Sequence, residues 1–198
     1  LTLTFTFLTA FLLFHENGMH QKNNSILTVW MNGGPPGLPD PIEFDLLVNH
    51  IAYGSVFSNL VSQYKRGAVT GVIADRWESD SGWLVWKFHI RPGLFFENGD
   101  PITAKAVELS LKRVFYLIKK KNSGHSITEN LSDINKLTAP TSNISGIVAE
   151  KDYILMRFTK PCPKLLEALS FGIFSITHSS NFDQNDGSWK IKAPAISS

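Results

Sequence analysis

The clearest strand signal in the chain is an alternation of apolar and more polar residues. Leu84, Trp86, Phe88 and Ile90 fall on one face of an extended segment, which is the period-two pattern of a half-buried strand. A second extended stretch, Ala74–Ser79, comes shortly before it, and the residues between the two have turn composition. The pattern therefore predicts a β-hairpin whose apolar face lies in the core.

A helical period follows the hairpin. The apolar positions at three- and four-residue steps are Val107, Leu111, Val114, Phe115 and Ile118. This spacing predicts a helix over Ala104–Lys121. Thr103 stands where an N-cap belongs, and Lys119–Lys121 places cations at the C-terminal end, where they complement the helix dipole.

Weaker patterns predict the remaining elements. Ile26–Met31 is β-branched and aromatic and predicts a strand, and mostly helical spacing predicts a helix within Asn49–Gln63. Two extended segments, Ile144–Ala149 and Tyr153–Phe158, flank a polar turn and predict a second hairpin. The leucines of Leu165–Leu169 predict a short helix.

The two ends of the chain differ from its middle. Leu1–Phe14 is uncharged and apolar, but it is shorter than the ~20 residues that a membrane-spanning helix needs. It is either the hydrophobic region of a secretory signal peptide or a buried core segment, and the signal peptide, over residues 1–20, is the favoured interpretation. Neither a basic segment before Leu1 nor a clear cleavage site after the run supports it. Asn181–Ser198 is rich in polar residues and predicts no closing element.

Composition and charge narrow the function classes. The chain has 198 residues, 43% of them hydrophobic and 18% charged, which is the composition of an ordinary globular protein with one domain or two small lobes. The net charge of +2 is too small for a protein dedicated to neutralising nucleic-acid phosphates. We therefore expect no nucleic-acid partner.

The sequence lacks the usual motifs of catalysis and of nucleotide or metal binding. It contains no P-loop, no dinucleotide-binding glycine motif, no H-E-x-x-H and no G-x-S-x-G. The six histidines are scattered without metal-ligand spacing, and Cys162, the only cysteine, has no activating base near it in sequence. We therefore expect no enzyme activity, no cofactor, no metal site and an inert thiol.

The segment from Val72 to Phe115 resembles the family 5 extracellular solute-binding proteins, the oligopeptide, dipeptide and nickel receptors of ABC importers. The family has an A-x-x-W-E strand, a W/Y-x-F-x-[IL]-R strand, a D/N-G-x-P-x-T-A motif and a helix with S-L-K-R. The matching residues are Ala74, Trp77, Glu78, Gly82, Trp86, Phe88, Ile90, Arg91, Gly93, Phe96, Asn98, Gly99, Pro101, Thr103, Ala104, Val107, Ser110, Leu111, Lys112 and Arg113.

The flanks extend this resemblance over about residues 27–178. Asp40-Pro41 is similar to the family's L-D-P, Val56–Leu60 to its V-[FY]-E-x-L, and Ile147–Pro163 to its D-x-x-T-[VL] … P-x-P stretch. One departure lies at the start of the helix, where Lys105 and Ala106 replace the usual acids and lose their favourable interaction with the helix N-terminus. The other departure is length, because family members are considerably longer.

The resemblance implies a fold and a domain organisation. We expect an α/β (mixed α+β) chain with the class II periplasmic-binding-protein fold, limited to the first lobe, with a mixed sheet, flanking helices and β-hairpins. Residues 21–198 would form this N-terminal lobe, and the second lobe would be absent from the chain. Such receptors close two lobes around the ligand by a hinge motion.

The resemblance also implies a function. It indicates the periplasmic substrate-binding component of an ABC importer, a monomer without catalysis, whose partners are an oligopeptide ligand and the permease subunits in the membrane. Two alternatives stay open: a receptor of the same family for a nickel chelate or another small solute, and a truncated single-lobe remnant that binds no solute.

The family's peptide-backbone contacts transfer to three residues. Counting from Asp40-Pro41 toward Val56 places them at Asp45, Leu46 and Leu47. In the alternative interpretation, Asp45 caps the following helix and the two leucines belong to the core. The charged groups that bind peptide termini lie mainly in the family's second lobe and have no counterpart to assign here.

Overall fold

A computed structural model of the chain describes residues 40–43, 56–63, 67–122 and 126–190. All of them belong to one unit, Asn32–Ser198. The predicted signal peptide at residues 1–20, the predicted strand Ile26–Met31 and the candidate contacts Asp45, Leu46 and Leu47 lie outside the described residues. They stay predictions.

The first two strands form a small antiparallel sheet. Strand β1, Val61–Gln63, pairs with β2, Val69–Gly71. The helix predicted within Asn49–Gln63 is therefore wrong at its C-terminal end, and its residues 49–55 lie outside the described part of the chain. The local spacing of apolar residues resembled a helix, but pairing with β2 buries Val61 completely, and this contact with residues further along the chain decides the conformation.

The larger sheet contains both predicted hairpins. Its strands are β3, Ala74–Ser79; β4, Val85–Ile90; β5, Ile147–Glu150; and β6, Tyr153–Arg157. They lie in the order β3-β4-β6-β5, and each neighbouring pair is antiparallel. The side chains of β4 alternate between half-buried and buried, as the sequence pattern predicted.

The turn between β3 and β4 is held by its aspartate. The Asp80 carboxylate accepts hydrogen bonds from the backbone N–H groups of Leu84 at 2.8 Å and Val85 at 2.9 Å. Trp83 takes a positive φ of 51° in this turn and is exposed. The side chain of Asp80 thus caps the backbone where the chain reverses.

Helix α1, Ala104–Lys120, packs on β5 and β6. It ends one residue before the predicted end, and the Thr103 hydroxyl caps it by accepting the Ala106 N–H at 3.2 Å. Its buried apolar residues join those of the sheet in one core, which includes Val107, Leu111, Phe115, Phe88, Ile154 and Met156. The predicted core face of the hairpin is confirmed.

The described residues contain two further, short α-helices, α2 at Ser126–Glu129 and α3 at Leu165–Leu169. Residues 181–190 contradict the expectation that the tail contains no closing element, and residues 191–198 lie outside the described part of the chain. A 3-10 helix, Ser179–Asn181, leads into a bridge between Phe182 and Trp189, and both rings are buried. The mostly polar composition of this segment did not indicate that these two aromatic side chains are buried, where their rings pack against the Arg113 guanidinium.

The expected α/β architecture with flanking helices and hairpins is confirmed. Every strand pair among the described residues is antiparallel, so the parallel pairs of the expected mixed sheet are not found in these residues. In the same residues, no helix combines the length and the apolar content that a membrane crossing requires.

Candidate functional site

A groove of about 360 Å³ opens between α2 and the segment that leads into α3. Its walls come from two stretches of chain that are distant in sequence. The lining residues are Ser126, Ile127, Asn130, Pro161, Cys162, Pro163, Lys164, Glu167, Ala168 and Phe171. The groove is thus formed by the tertiary fold, and no local sequence motif predicts it.

Backbone hydrogen bonds hold the two walls in place. The Thr159 N–H donates to the Asn130 carbonyl at 2.7 Å, and the Cys162 N–H donates to the Trp83 carbonyl at 2.9 Å. Pro161 and Pro163 restrict φ on both sides of Cys162. The loop before α3 is therefore tied both to the end of α2 and to the β3–β4 turn.

The chemistry of the groove is mostly apolar with polar groups at its edge. Ile127 and Ala168 present aliphatic surface, and Phe171 exposes 51% of its surface. Lys164 and Glu167 are exposed and of opposite charge. A cavity with apolar walls and a few polar groups is the usual form of a ligand site, and this one suits an apolar side chain attached to a polar backbone.

Cys162 lines this groove. It is half-buried, and burial raises the pKa of its thiol, so the protonated form predominates at neutral pH. This agrees with the expectation of an inert thiol. No sequence pattern indicates that Cys162 faces a cavity, because its neighbours across the groove lie more than thirty positions away.

Asn59 fixes the position of Phe171. Its side-chain amide donates to the carbonyls of Leu169 at 3.0 Å and Phe171 at 2.8 Å, and its oxygen accepts the Ser175 hydroxyl at 2.8 Å. An asparagine amide offers both donors and acceptors for such a bridge. The Val56–Leu60 segment, which was identified only through the family resemblance, therefore holds the end of α3 and one wall of the groove.

A buried ion pair joins α1 to Asp40. Arg113 on α1 binds the Asp40 carboxylate through two nitrogens, at 2.9 and 2.5 Å, and donates from Nε to the Gly187 carbonyl at 2.8 Å. Its guanidinium also lies over the rings of Phe182 and Trp189, with 4.9 and 5.3 Å to their centres. The side chains of Arg113 and Asp40 are only 1% and 7% exposed.

This anchor joins two motifs of the family resemblance, Asp40-Pro41 and the S-L-K-R segment. Bidentate contact between a guanidinium and a carboxylate fixes both position and orientation. The anchor therefore holds Asp40 against α1.

His178 takes part in a contact that sequence reasoning missed. Its Nε2 lies 2.9 Å from the Asp100 carboxylate, and its Nδ1 lies 2.7 Å from the Ser180 hydroxyl. The same Nδ1 accepts the Ser180 backbone N–H at 3.2 Å, so the imidazole caps the 3-10 helix Ser179–Asn181. In the residues that the structure describes, no three His, Cys, Asp or Glu side chains are grouped as metal ligands.

Comparison with known proteins identifies a family. Residues 68–198 match the family described as bacterial extracellular solute-binding proteins, family 5 middle. The search of curated proteins found no match. The family match covers the two hairpins of the larger sheet, helix α1, the groove and Phe182–Trp189.

Solved structures of periplasmic binding proteins share the fold. NikA from Brucella suis in complex with Fe(III)-EDTA has 23% identity and a TM-score of 0.59, over 73% of this chain and 26% of its own. Haemophilus influenzae OppA in complex with the peptide RPPGFSPFR has 19% identity and a TM-score of 0.58, over 71% of this chain and 28% of its own. AgaA from A. tumefaciens in complex with agropinic acid has 17% identity and a TM-score of 0.63, over 83% of this chain and 30% of its own. The chain spans less than a third of each of these structures, and the expected fold is confirmed.

Proposed function

Because the chain belongs to the family 5 bacterial extracellular solute-binding proteins, we propose that it is part of the substrate-binding component of an ABC importer and that its ligand is an oligopeptide. The observation that carries the peptide proposal is the groove beside Phe171. It combines apolar walls with polar groups at the edge, as a peptide side chain and its backbone require. The structure of Haemophilus influenzae OppA with a bound peptide supports the same ligand class.

In this proposal the groove holds one apolar side chain of the peptide. Phe171 and Ile127 contact that side chain, and Asn130 and Ser126 lie where they can bond to polar groups beside it. Asp45, Leu46 and Leu47 contact the peptide backbone, which leaves side-chain identity free to vary. The Asp40–Arg113 anchor supports this role because it holds the chain five residues before Asp45.

The chain supplies one wall of the binding cleft, and the other wall is a second lobe. Closure of the two lobes about a hinge excludes water from the peptide and creates the closed shape that the permease subunits recognise. The protein acts outside the cytoplasm and is exported by the signal peptide at residues 1–20. Sequencing the N-terminus of the protein from the extracytoplasmic fraction tests export, since a first residue beyond position 14 is expected.

Two phenylalanines provide a matched test of the groove. Phe171 and Phe95 are 51% and 60% exposed, but only Phe171 lines the groove. Calorimetric titration with a mixture of short peptides should give saturable heat, and Phe171→Ala should weaken binding by about tenfold, the effect of losing an aromatic contact residue. Phe95→Ala should bind like the parent protein. Equal affinity of the two variants would remove the groove from the proposal.

The lone cysteine provides a second readout. A bound peptide that fills the groove should slow the reaction of Cys162 with a neutral thiol reagent, and the same peptide should leave the rate in urea unchanged. Slowing by a chelated metal but by no peptide would support the nickel-chelate receptor, for which the Brucella suis NikA structure with Fe(III)-EDTA is the precedent. The absence of any protection or heat would support the remnant that binds no solute.

A further inference from the structure

A second cavity, of about 200 Å³, lies beside the first half of α1. Lys105, Glu108 and Lys112 line it from the helix, and Thr141 and Gln184 line it from two other segments. Lys105 is one of the two positions where the chain departs from its family's acidic pattern. The cavity shares no lining residue with the groove beside Phe171.

The helix residues of this cavity form a charged cluster. Spacings of three and four residues bring both lysines to Glu108, with Lys105 Nζ at 2.5 Å and Lys112 Nζ at 2.7 Å from its carboxylate oxygens. Two ammonium groups face one carboxylate, so the cluster has an excess positive charge. Glu108 and Lys112 are 6% and 5% exposed, whereas Lys105 is 80% exposed.

Lys112 has more hydrogen-bonding capacity than the cluster uses. An ammonium group carries three donors, and in the described part of the chain the Lys112 ammonium has a single acceptor, the Glu108 carboxylate. That carboxylate is shared with Lys105. A charge that is withdrawn from water and incompletely paired is costly, and an anion in the cavity would remove this cost.

We propose that this cavity binds a small oxyanion, a phosphate or a carboxylate group. The Lys112 and Lys105 ammonium groups contribute charge-assisted hydrogen bonds. The Thr141 hydroxyl, whose hydrogen bond to the Gln184 carbonyl is long at 3.5 Å, turns to donate to the anion. The volume is below the roughly 300–1,000 Å³ of sites for larger organic ligands, so the cavity selects a small ion or a single anionic group. The site is independent of the proposed peptide binding.

The test uses inorganic phosphate and acetate as probes of the isotopically labelled protein. Titration at low ionic strength, where screening is weak, should shift the backbone amide resonances of Glu108, Lys112, Thr141 and Gln184 along a saturating curve. Tighter phosphate binding would indicate a phosphate group as the natural ligand, and tighter acetate binding a carboxylate. A linear, unsaturated shift with both probes would overturn the proposal.

Variants separate this site from general attraction to lysines. Lys112→Met should weaken binding of the tighter probe by about tenfold, whereas Lys160→Met, which removes the same charge at an exposed position, should leave it within about twofold. Should Lys112→Met not fold, the exposed Lys105→Met and Thr141→Val serve instead, and each should weaken binding by at least about threefold. Affinities equal to those of Lys160→Met would contradict the proposal.

Discussion

Two neighbouring residues of α1, Lys112 and Arg113, are both buried cations, and the structure uses them differently. The Arg113 guanidinium donates hydrogen bonds to the Asp40 carboxylate and the Gly187 carbonyl, and it packs against two aromatic rings. Lys112 faces a cavity, and its ammonium shares one carboxylate with Lys105.

The difference shows how side-chain geometry separates a structural charge from one that is available to a ligand. The planar guanidinium has five donors in fixed directions and can join several segments at once. The ammonium is a compact charge on a flexible stem, so it leaves donors free when only one acceptor is near. Burial alone therefore does not distinguish an anchor from a binding site.

The largest expected effect comes from breaking the anchor. Asp40→Ala leaves the buried Arg113 charge without its carboxylate and should lower the free energy of unfolding by about 3–5 kcal/mol. Urea denaturation measures it. Asp75→Ala, which removes an exposed carboxylate 3.7 Å from Arg76, should cost at most about 1 kcal/mol. A similar loss in both variants would mean that the anchor does not stabilise the fold.

A reciprocal exchange sharpens the comparison between the two cations. Arg113→Lys keeps the charge but loses one contact to Asp40 and the contact to Gly187, so it should cost about 1.5–3 kcal/mol in unfolding free energy. Lys112→Arg keeps the Glu108 contact and turns its extra donors toward the cavity, so about 1 kcal/mol or less is expected. Equal costs in urea denaturation would contradict the distinction.

A neutral bridge gives a smaller effect. Asn59→Ala removes three hydrogen bonds, to Leu169, Phe171 and Ser175. Because these groups are partly accessible to water, we expect a loss of about 1–2 kcal/mol in unfolding free energy. The exposed Asn143→Ala serves as the control and should stay within about 0.5 kcal/mol of the parent protein. Heat-induced unfolding followed by circular dichroism checks both.

The smallest expected effect on stability comes from removing the exposed Asp133 carboxylate. Hydrogen bonds from the Ser145 hydroxyl, and then from Lys136, lower the pKa of Asp133 from 3.8 to about 2. Because the folded-state pKa lies below the unfolded one, the stabilisation is complete above pH 3.8 and is lost as the pH falls through about 2. Asp133→Asn should therefore be less stable than the parent protein at neutral pH.

The stability difference between the parent protein and Asp133→Asn should shrink below pH 3.8 and be mostly lost near pH 2. Asparagine tolerates the left-handed conformation of this residue, whose φ is 57°, so the variant isolates the charge. Urea midpoints compared at neutral pH, near pH 4 and near pH 2 measure the difference. A constant difference over this range would mean that the carboxylate charge makes no contribution.

Much of the fold could be predicted because its elements are local. The alternation along Leu84–Ile90 and the helical period from Val107 to Ile118 identify the strand and the helix correctly, since each depends on neighbours within a few positions. The strand Val61–Gln63 was missed because its conformation depends on pairing with Val69–Gly71. Local periodicity contains no information about such a partner.

The candidate site was mostly beyond the reach of the sequence. The resemblance singled out Asp40, Arg113 and the Val56–Leu60 segment, but not that Arg113 binds Asp40 or that Asn59 holds Phe171. These contacts join residues 73 and 112 positions apart. Cys162 and Phe171 carry no motif of their own, and only the packing of α2 against the loop before α3 reveals them as walls of one groove.

The anchor at Arg113 has a kinetic consequence. Arg113 joins Asp40, 73 positions earlier, to Gly187, 74 positions later, whereas the two hairpins and α1 close over short stretches of chain. Contacts that close long loops form slowly because their entropic cost must be met first. The hairpins and α1 should therefore form early, and the anchor should form last, after Gly187 has left the ribosome. During synthesis the Arg113 guanidinium therefore lacks its Gly187 acceptor until that residue has emerged.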